Sequence, residues 1–484
     1  MNKAKQILKE KFVHDDFQSV QYEIIHNLIE NKKHSLVMMP TGAGKSLTYQ
    51  LPALLFEGLT LVISPLIALM QDQVDELKKK NIPATFINST ISKKEKDKRL
   101  KNSIEGKYKL LYVTPERFRK IEFINSIKQA KIDLLAIDEA HCISQWGHDF
   151  RPDYSRIAEF RQLIGNPLTI ALTATATPEV KNDIILKLGL TPEQITIFNQ
   201  GIERKNLRLE VEDVYDEKDK IGKILDIYNT YKGSGIIYFS LIKTLEQFSE
   251  LLIKNKIPHL IYHGKLPNNE RKYVQRQFIN NNELVLATNA FGMGIDKPDI
   301  RFVIHAELPG SIESYYQEIG RAGRDGKDSL CTLLYSEMDI AIQMDFIKWS
   351  NPDAKFYGRI YAHLQSEIDK INSMGLESLK ADLIFKNRND FRLETALSIF
   401  DRYNATTGDI KNKNLKLTGE IPEKLFDQDF IDKKLKADQM RLLSLVNYFK
   451  EENCRKSFIS NYFGIQPAQK CGNCDKCGII YIKP

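Results

Sequence analysis

The sequence predicts an α/β chain: two tandem parallel-sheet domains, then a helical segment, then a small domain built on cysteines. Three observations carry that prediction. The string PTGAGKS, residues 40–46, stands between the apolar run Leu36, Val37, Met38, Met39 and the helical spacing of Leu47, Tyr49, Leu51 and Leu54. DEAH, residues 138–141, ends a second apolar run made of Ile132, Leu134, Leu135, Ala136 and Ile137. Four of the six cysteines fall in the last 31 residues.

The first string has the chemistry of a phosphate loop. Thr41, Gly42, Ala43 and Gly44 can turn their backbone N–H groups around phosphate oxygens because glycine accepts the required dihedrals and a close approach. Lys45 then supplies a point charge for the β- and γ-phosphates, and Ser46 a hydroxyl ligand for Mg²⁺. The next helix points its N-terminus at the anion. The string departs from G-x-x-x-x-G-K-[ST] at Met39, where the first glycine would stand.

Asp138 and Glu139 fall at the carboxyl end of a parallel strand, where such sheets bind their ligands. Asp138 is expected to hold Mg²⁺, Glu139 to orient and polarise the attacking water, and His141 to relay to other motifs. A third string, QEIGRAGRDG at 317–326, sets Arg321 and Arg324 three apart, on one face if helical. Phosphoryl transfer needs positive charge on the departing γ-phosphate, and an arginine from a second domain supplies it only when two domains close. Arg324 is the expected finger, with Arg321 as a second phosphate contact and Gln317 beside them.

Further on, three helical stripes come after the second domain: Tyr361, Leu364, Ile368 and Ile371 ending at Gly375; Leu376, Leu379 and Leu383; and Leu393, Leu397 and Phe400. LKLTGEIP then reads as a strand pair or turn. Two readings stand: a winged-helix-like module, or a helical insertion that braces the cysteine-bearing domain. At the end, Cys454, Cys471, Cys474 and Cys477 give C-x16-C-x2-C-x2-C, a spacing that sets four thiolates around tetrahedral Zn²⁺. Disulfides are the rival. No signal peptide is recognised, and Cys142 and Cys331 stand apart, so the chain reads as cytosolic and reduced, which favours zinc in a closed structural site.

Length and composition agree. A chain of 484 residues, 42% hydrophobic, exceeds one ordinary domain. The expected division is 1–205 and 206–345 for the two sheets, 346–440 for the helical insertion and 441–484 for the zinc-binding part. Strands are expected near 36, 61, 110, 134 and 169, then near Ile236, His259, Val285, Phe302 and Leu330. A net charge of +7 suits a polyanionic partner. The apolar stretch LTLVISPLIALM is broken at Ser64 and Pro65, so no segment reads as membrane-spanning.

Between these strings lie SPLIALMQDQV from Ser64, TPERF from Thr114, LTATAT from Leu172, IIYFS from Ile236 and ATNAFGMGIDKPDIR from Ala287. In this order the set resembles the superfamily 2 helicases. DEAHCISQWGHDFRPDY from Asp138 narrows the resemblance to the RecQ family, over about residues 10 to 345, and NYFG with CGNCDKC resembles that family's zinc-binding domain. The resemblance implies two RecA-like motor domains and an ATP-dependent enzyme, also classed as an isomerase, that moves 3′ to 5′ on single-stranded DNA and separates partially duplex DNA. It further implies work in recombination, repair or replication, in a bacterial-type cytosol or nucleoid; the chain is read as a monomer. Trp146, Phe150 and Arg151 would couple DNA to hydrolysis by stacking on unpaired bases. Gln21 would read the adenine edge. The family's F-R-x-x-Q has Gln18 here for its arginine and His14 for a tyrosine, so weaker or less selective adenine binding is expected. Seven residues come after Cys477, and the C-terminal winged helix and terminal helical domain of many relatives are expected to be absent, giving a leaner motor. A remodelling ATPase with little strand separation is the alternative, and RNA a lesser one for the substrate.

Overall fold

The computed structural model describes residues 1–18, 20–144, 151–292, 295–383, 390–410, 412–466 and 470–478. Its first sheet has strands β1 His34–Met38, β2 Leu59–Ile63, β3 Ala84–Ile87, β4 Leu110–Val113, β5 Ile132–Ile137, β6 Leu168–Thr173 and β7 Ile195–Asn199. They pair in the order β3-β4-β2-β5-β6-β1-β7, every neighbour parallel. Parallel strands need helical crossovers, so both faces are covered and the inner strands are apolar throughout. Alternation divides them: Leu36, Leu61, Leu135 and Ala171 pack on one face, Val37, Val62, Leu134 and Ile170 on the other.

The second sheet repeats the design with β8 Leu207–Asp213, β9 Ser234–Tyr238, β10 Leu260–Tyr262, β11 Leu284–Ala287, β12 Ile300–His305 and β13 Ser329–Tyr335. Its order is β10-β11-β9-β12-β13-β8, again parallel. Thus the expected α/β architecture of two RecA-like parallel-sheet domains, helical segment and zinc-binding domain is the one observed. Sequence patterning predicts five strands for each sheet, whereas the described residues form seven and six. The additions β3, β7 and β8 are all edge strands. In β7 only Ile195 is buried, and in β8 only Leu207 and Leu209, so no continuous buried run announces them.

Beyond the second sheet, helix Met338–Ser350 leads into helices Ala354–Met374, Leu376–Leu383 and Arg392–Arg402, and then the antiparallel pair Thr406–Thr407 with Lys416–Leu417. The three helices therefore form where the sequence places them, whereas of the strand pair Lys416–Leu417 falls within LKLTGEIP and its partner Thr406–Thr407 precedes that string. Their centre is Phe356, Ile360, Leu364, Leu393 and Phe400, a core separate from those of the sheets. Tyr361 and Ile368 are only half-buried, and the first helix breaks at Glu367 (φ −136°, ψ 26°), just before Ile368. Arg119 in the first lobe ties this segment down by donating to the carbonyls of Asp401 and Arg402 at 2.9 and 2.8 Å, at the end of the third helix. Helix Gln428–Lys450 then returns to the second sheet, burying Leu445, Tyr448 and Phe449 in its core. Among the described residues, no helix is long and apolar enough to cross a membrane.

Candidate functional site

The glycine loop leaves β1 and enters helix Leu47–Leu55. Gly42 and Gly44 have φ of +84° and +75°, where an L side chain is strained, and a Cβ at Gly44 would stand 2.4 Å from Gln21 Nε2. Gln21 is buried against this loop: its Nε2 donates to the carbonyls of Ala43 and Gly44 at 3.3 and 3.4 Å, and its Oε1 accepts from the Gln18 N–H at 2.9 Å. In this arrangement the Gln21 amide is engaged by the loop itself, beside the side where Gln18 replaces an arginine.

Asp138 and Glu139 come directly after β5, as the sequence places them. Asp138 accepts from the Glu139 N–H at 3.0 Å, and its carbonyl accepts from the Tyr154 hydroxyl at 3.2 Å. Burial, then the adjacent Glu139 carboxylate, push the Asp138 carboxyl up to about 7, against the pull of Lys45. Glu139 sits in the left-handed region at φ 48°, a conformation uncommon for a side-chain-bearing residue that re-aims its carboxylate off the strand axis. That carboxylate lies 3.3 Å from His141 Nδ1, which lies 3.0 Å from Thr173 Oγ1. Thr173 donates to the Thr175 carbonyl at 2.9 Å, and Gln317 of the second lobe donates to Thr175 Oγ1 at 3.3 Å. These contacts run from the acidic pair through His141 and LTATAT to the other lobe.

Arg321 and Arg324 are not helical. Helix Ile312–Ile319 stops at Gly320, and both arginines lie in the turn beyond it, so the shared-face expectation is replaced by a turn that brings both to one cleft. Arg324 lies against the phosphate loop: a Cβ at Gly42 would meet its Cγ at 3.2 Å and its Cδ at 3.3 Å. It donates to Asp296 Oδ1 at 2.6 Å and to the Ile295 carbonyl at 3.1 Å, while Arg321 donates to the Gly292 carbonyl. Burial lowers the Arg324 pKa. The Nε atoms of both arginines are buried without a hydrogen-bond partner among the described residues. Unpaired buried donors are costly, and the Arg324 Nε lies 3.5 Å from where a Cβ at Gly42 would stand, so the donor set fits a triphosphate.

Trp146 and Phe150 lie outside the described residues. Arg151 donates from Nη1 to the Pro65 carbonyl at 3.2 Å, joining the tract after DEAH to SPLIALM.

At the C-terminus, the sulfurs of Cys454, Cys471, Cys474 and Cys477 all lie within 4.8 Å of one another, with Cys471 and Cys477 at 3.9 Å. Four thiolates about 2.3 Å from a tetrahedral ion stand roughly 3.8 Å apart, so the cluster fits Zn²⁺. Helix Arg455–Tyr462 carries the chain away from Cys454. Asp475, beside Cys474, receives both Nε and Nη2 of the buried Arg455 at 3.0 and 2.9 Å. The knuckle also covers the β8 edge: Leu209 and Cys474 bridge, and the Asp475 N–H donates to the Leu209 carbonyl at 3.1 Å.

Sequence reasoning missed Arg204 and Asn206, in the linker between the lobes. Arg204 Nη2 donates to the carbonyls of Ala322 and Gly323 at 2.9 and 2.7 Å, and Asn206 Nδ2 to those of Gly323 and Lys327, both at 2.8 Å. Nothing in a bare R-x-N string marks such a role; only the identity of the carbonyls it meets does.

Tandem parallel sheets that close a phosphate loop and an acidic pair against an arginine turn define a two-lobed RecA-like architecture with a phosphate-loop site between the lobes. Residues 18–183 match the DEAD/DEAH box helicase family, 217–326 the helicase conserved C-terminal domain, and 421–478 the RecQ zinc-binding family. The chain belongs to the RecQ family of superfamily 2 helicases. It is 47% identical to the ATP-dependent DNA helicase RecQ of Bacillus subtilis over 359 residues, 73% of this chain and 60% of that protein. It is 40% identical to the probable ATP-dependent DNA helicase RecS of the same organism over 358 residues, 73% of this chain and 71% of that one. The chain therefore spans about three-fifths of the first relative's length. Among solved structures, Mss116p bound to single-stranded RNA and AMP-PNP aligns with TM-score 0.58 and 15% identity, over 92% of this chain and 90% of that one. Dbp5 of S. cerevisiae, bound to RNA and ADP BeF3, aligns with TM-score 0.55 and 17% identity, over 71% and 90%. At such identities the likeness is one of fold.

Proposed function

We propose that this chain is an ATP-dependent DNA helicase that moves 3′ to 5′ along single-stranded DNA and unwinds duplexes, serving recombination, repair or replication. The observation that carries the reading is Arg324 lying on Gly42, because it sets a cation of the second lobe against the phosphate loop of the first. The proposed domains are 1–205 and 206–345 for the motor, 346–440 for the insertion and 441–484 for the zinc-binding part.

In this reading the backbone of Thr41–Gly44 and the Lys45 ammonium bind the β- and γ-phosphates, with Gln21 bordering the loop. Ser46 and Asp138 would hold Mg²⁺, which would neutralise phosphate charge. Glu139 orients the water, and Arg324 with Arg321 faces the charge that develops as the γ-phosphoryl group departs. Gln317 reports the state of the second lobe to Thr175, His141 and Glu139. Trp146, Phe150 and Arg151 couple a single strand to that path. Zn²⁺ in the four-thiolate cluster would be structural, since a closed tetrahedral site leaves no position for water.

The test is ATP hydrolysis with and without single-stranded DNA, beside unwinding of duplexes with a 3′ or a 5′ tail, with Lys45→Ala as control. The expected result is DNA-stimulated hydrolysis and opening of the 3′-tailed duplex alone, both abolished by the substitution. Hydrolysis without strand separation would replace this reading with a remodelling ATPase; opening of the 5′-tailed duplex would overturn the polarity.

A further inference from the structure

The linker between the lobes is held from several directions. Tyr316 donates its hydroxyl to the Ile202 carbonyl at 2.7 Å, Lys456 Nζ to the Arg204 carbonyl at 2.9 Å, and Asn473 Nδ2 to the Lys205 carbonyl at 2.9 Å. Two of these three donors belong to the zinc-binding part. The Arg204 backbone is therefore set by the zinc lobe while its side chain reaches the nucleotide cleft.

There the guanidinium spans the two halves of the site. Nη2 grips Ala322 and Gly323, the two residues between Arg321 and Arg324. Nη1 points to the carbonyls of Thr41, in the phosphate loop, and Gly320, at 3.4 and 3.5 Å, the outer limit of hydrogen bonding. Gly323 has φ +55°, and a Cβ there would lie 2.4 Å from Asn206 Nδ2 and 2.7 Å from the Lys327 carbonyl, so the turn and the linker are fitted to each other. The planar fork of an arginine can serve carbonyls on both sides at once; a lysine ammonium on a flexible stem lacks that geometry.

We infer that Arg204 is a positioning residue for ATP hydrolysis: it fixes the Arg321–Arg324 turn and registers it against the phosphate loop, and through Lys456 it makes that register depend on the zinc lobe. This rests on the reading of Arg324 as the finger. Among the described residues the Arg204 side chain donates to backbone carbonyls only, so it acts through Arg324. A displacement of the finger by about 1 Å is enough to cost on the order of 100-fold in rate.

The experiment is single-turnover ATP hydrolysis with saturating single-stranded DNA by the full chain and its variants Arg204→Ala, Arg204→Lys, Arg324→Ala and the double variant Arg204→Ala/Arg324→Ala, with zinc content as the control of folding. Arg204→Ala is expected to lower kcat roughly 100-fold with KM for ATP near that of the parent, and millimolar guanidinium to restore part of the loss. Arg204→Lys is expected to recover little. In the Arg324→Ala background the Arg204 change is expected to have almost no effect, because two residues acting through one contact are not additive. If Arg204→Ala fails to fold, Arg204→Lys is carried through the same cycle. Equal losses in both backgrounds, or an unchanged kcat, would overturn the inference. An Arg324→Ala variant as active as the parent would remove the finger reading, and this inference with it.

Discussion

In the first lobe the groups at the cleft ride on segments that leave the sheet at once: the glycine loop from β1, the acidic pair from β5 and Thr175 from just past β6, three strands adjacent in the order β5-β6-β1. Strand register fixes where each of them leaves the sheet. In the second lobe the arginines sit in a turn past a helix end, held by side chains of the linker and by Asp296. The difference teaches how the two lobes divide the site between them. One lobe is a cradle set by its strands, and the other presents charge through a part whose position depends on its neighbours.

The largest effect that tests this division is removal of zinc. Structural zinc contributes about 10–16 kcal/mol of binding free energy in small zinc domains, and here the cluster secures the knuckle that covers β8. Chelation, or Cys474→Ser, is expected to strip hydrogen-exchange protection from β8 and β13 while β1 and β6 keep theirs. Equal loss in both sheets would mean that the lobes are one cooperative unit and would break the comparison.

Next comes Arg324→Ala, expected to reduce kcat by about 10³-fold or more, as loss of an arginine finger does, with the melting temperature held near that of the parent. A fall in KM-limited rate alone would assign Arg324 to binding rather than to the departing phosphate. A smaller change, Thr175→Val, removes the hydroxyl that accepts from Gln317 at 3.3 Å and keeps the shape. A neutral hydrogen bond is worth about 1 kcal/mol, so DNA-stimulated hydrolysis is expected to fall roughly fivefold. Hydrolysis without DNA should change less, because the bond crosses the lobes. Equal reduction of both rates would sever this contact from DNA coupling.

The same division governs what the sequence revealed. The cradle was legible because a strand, a glycine loop and a carboxyl pair are local strings, and inner parallel strands are continuous apolar runs. β7 and β8 escaped because an edge strand half faces solvent and buries few of its residues. The cysteine cluster was legible from the C-x2-C-x2-C spacing, even with Cys454 far upstream. Arg321 and Arg324 were found by their string, but their geometry was set by Gly320 ending the helix and by Arg204 and Asn206 far away in the chain. Gln21 was read as meeting the adenine edge; its contact with the phosphate loop was not legible, because it requires the loop's three-dimensional position. Groups that act within one segment are readable; groups that act by where the second lobe stands are not.

The smallest effect sharpens the cradle's side of the comparison. His34 opens β1, with Nδ1 accepting from the Thr169 N–H at 3.0 Å and Nε2 3.2 Å from Arg161 Nη2. Burial, then the Arg161 charge, holds its pKa down to about 4. An unfolded histidine titrates near about 6.5, so between these values the unfolded chain binds a proton that the folded chain refuses. The stabilisation from a neutral His34 is therefore complete above about pH 6.5, declines as the pH falls, and levels off below the folded value. His34→Gln is expected to lose less melting temperature than the parent between pH 7.5 and pH 5, a window chosen to bracket roughly the unfolded pKa. Because β1 carries the phosphate loop, hydrogen exchange should show the acid-induced loosening first at β1 and β6. If the parent and the variant lose stability in parallel, the register of the cradle does not depend on this histidine, and the backbone pairing of β1 with its two neighbours suffices to hold it.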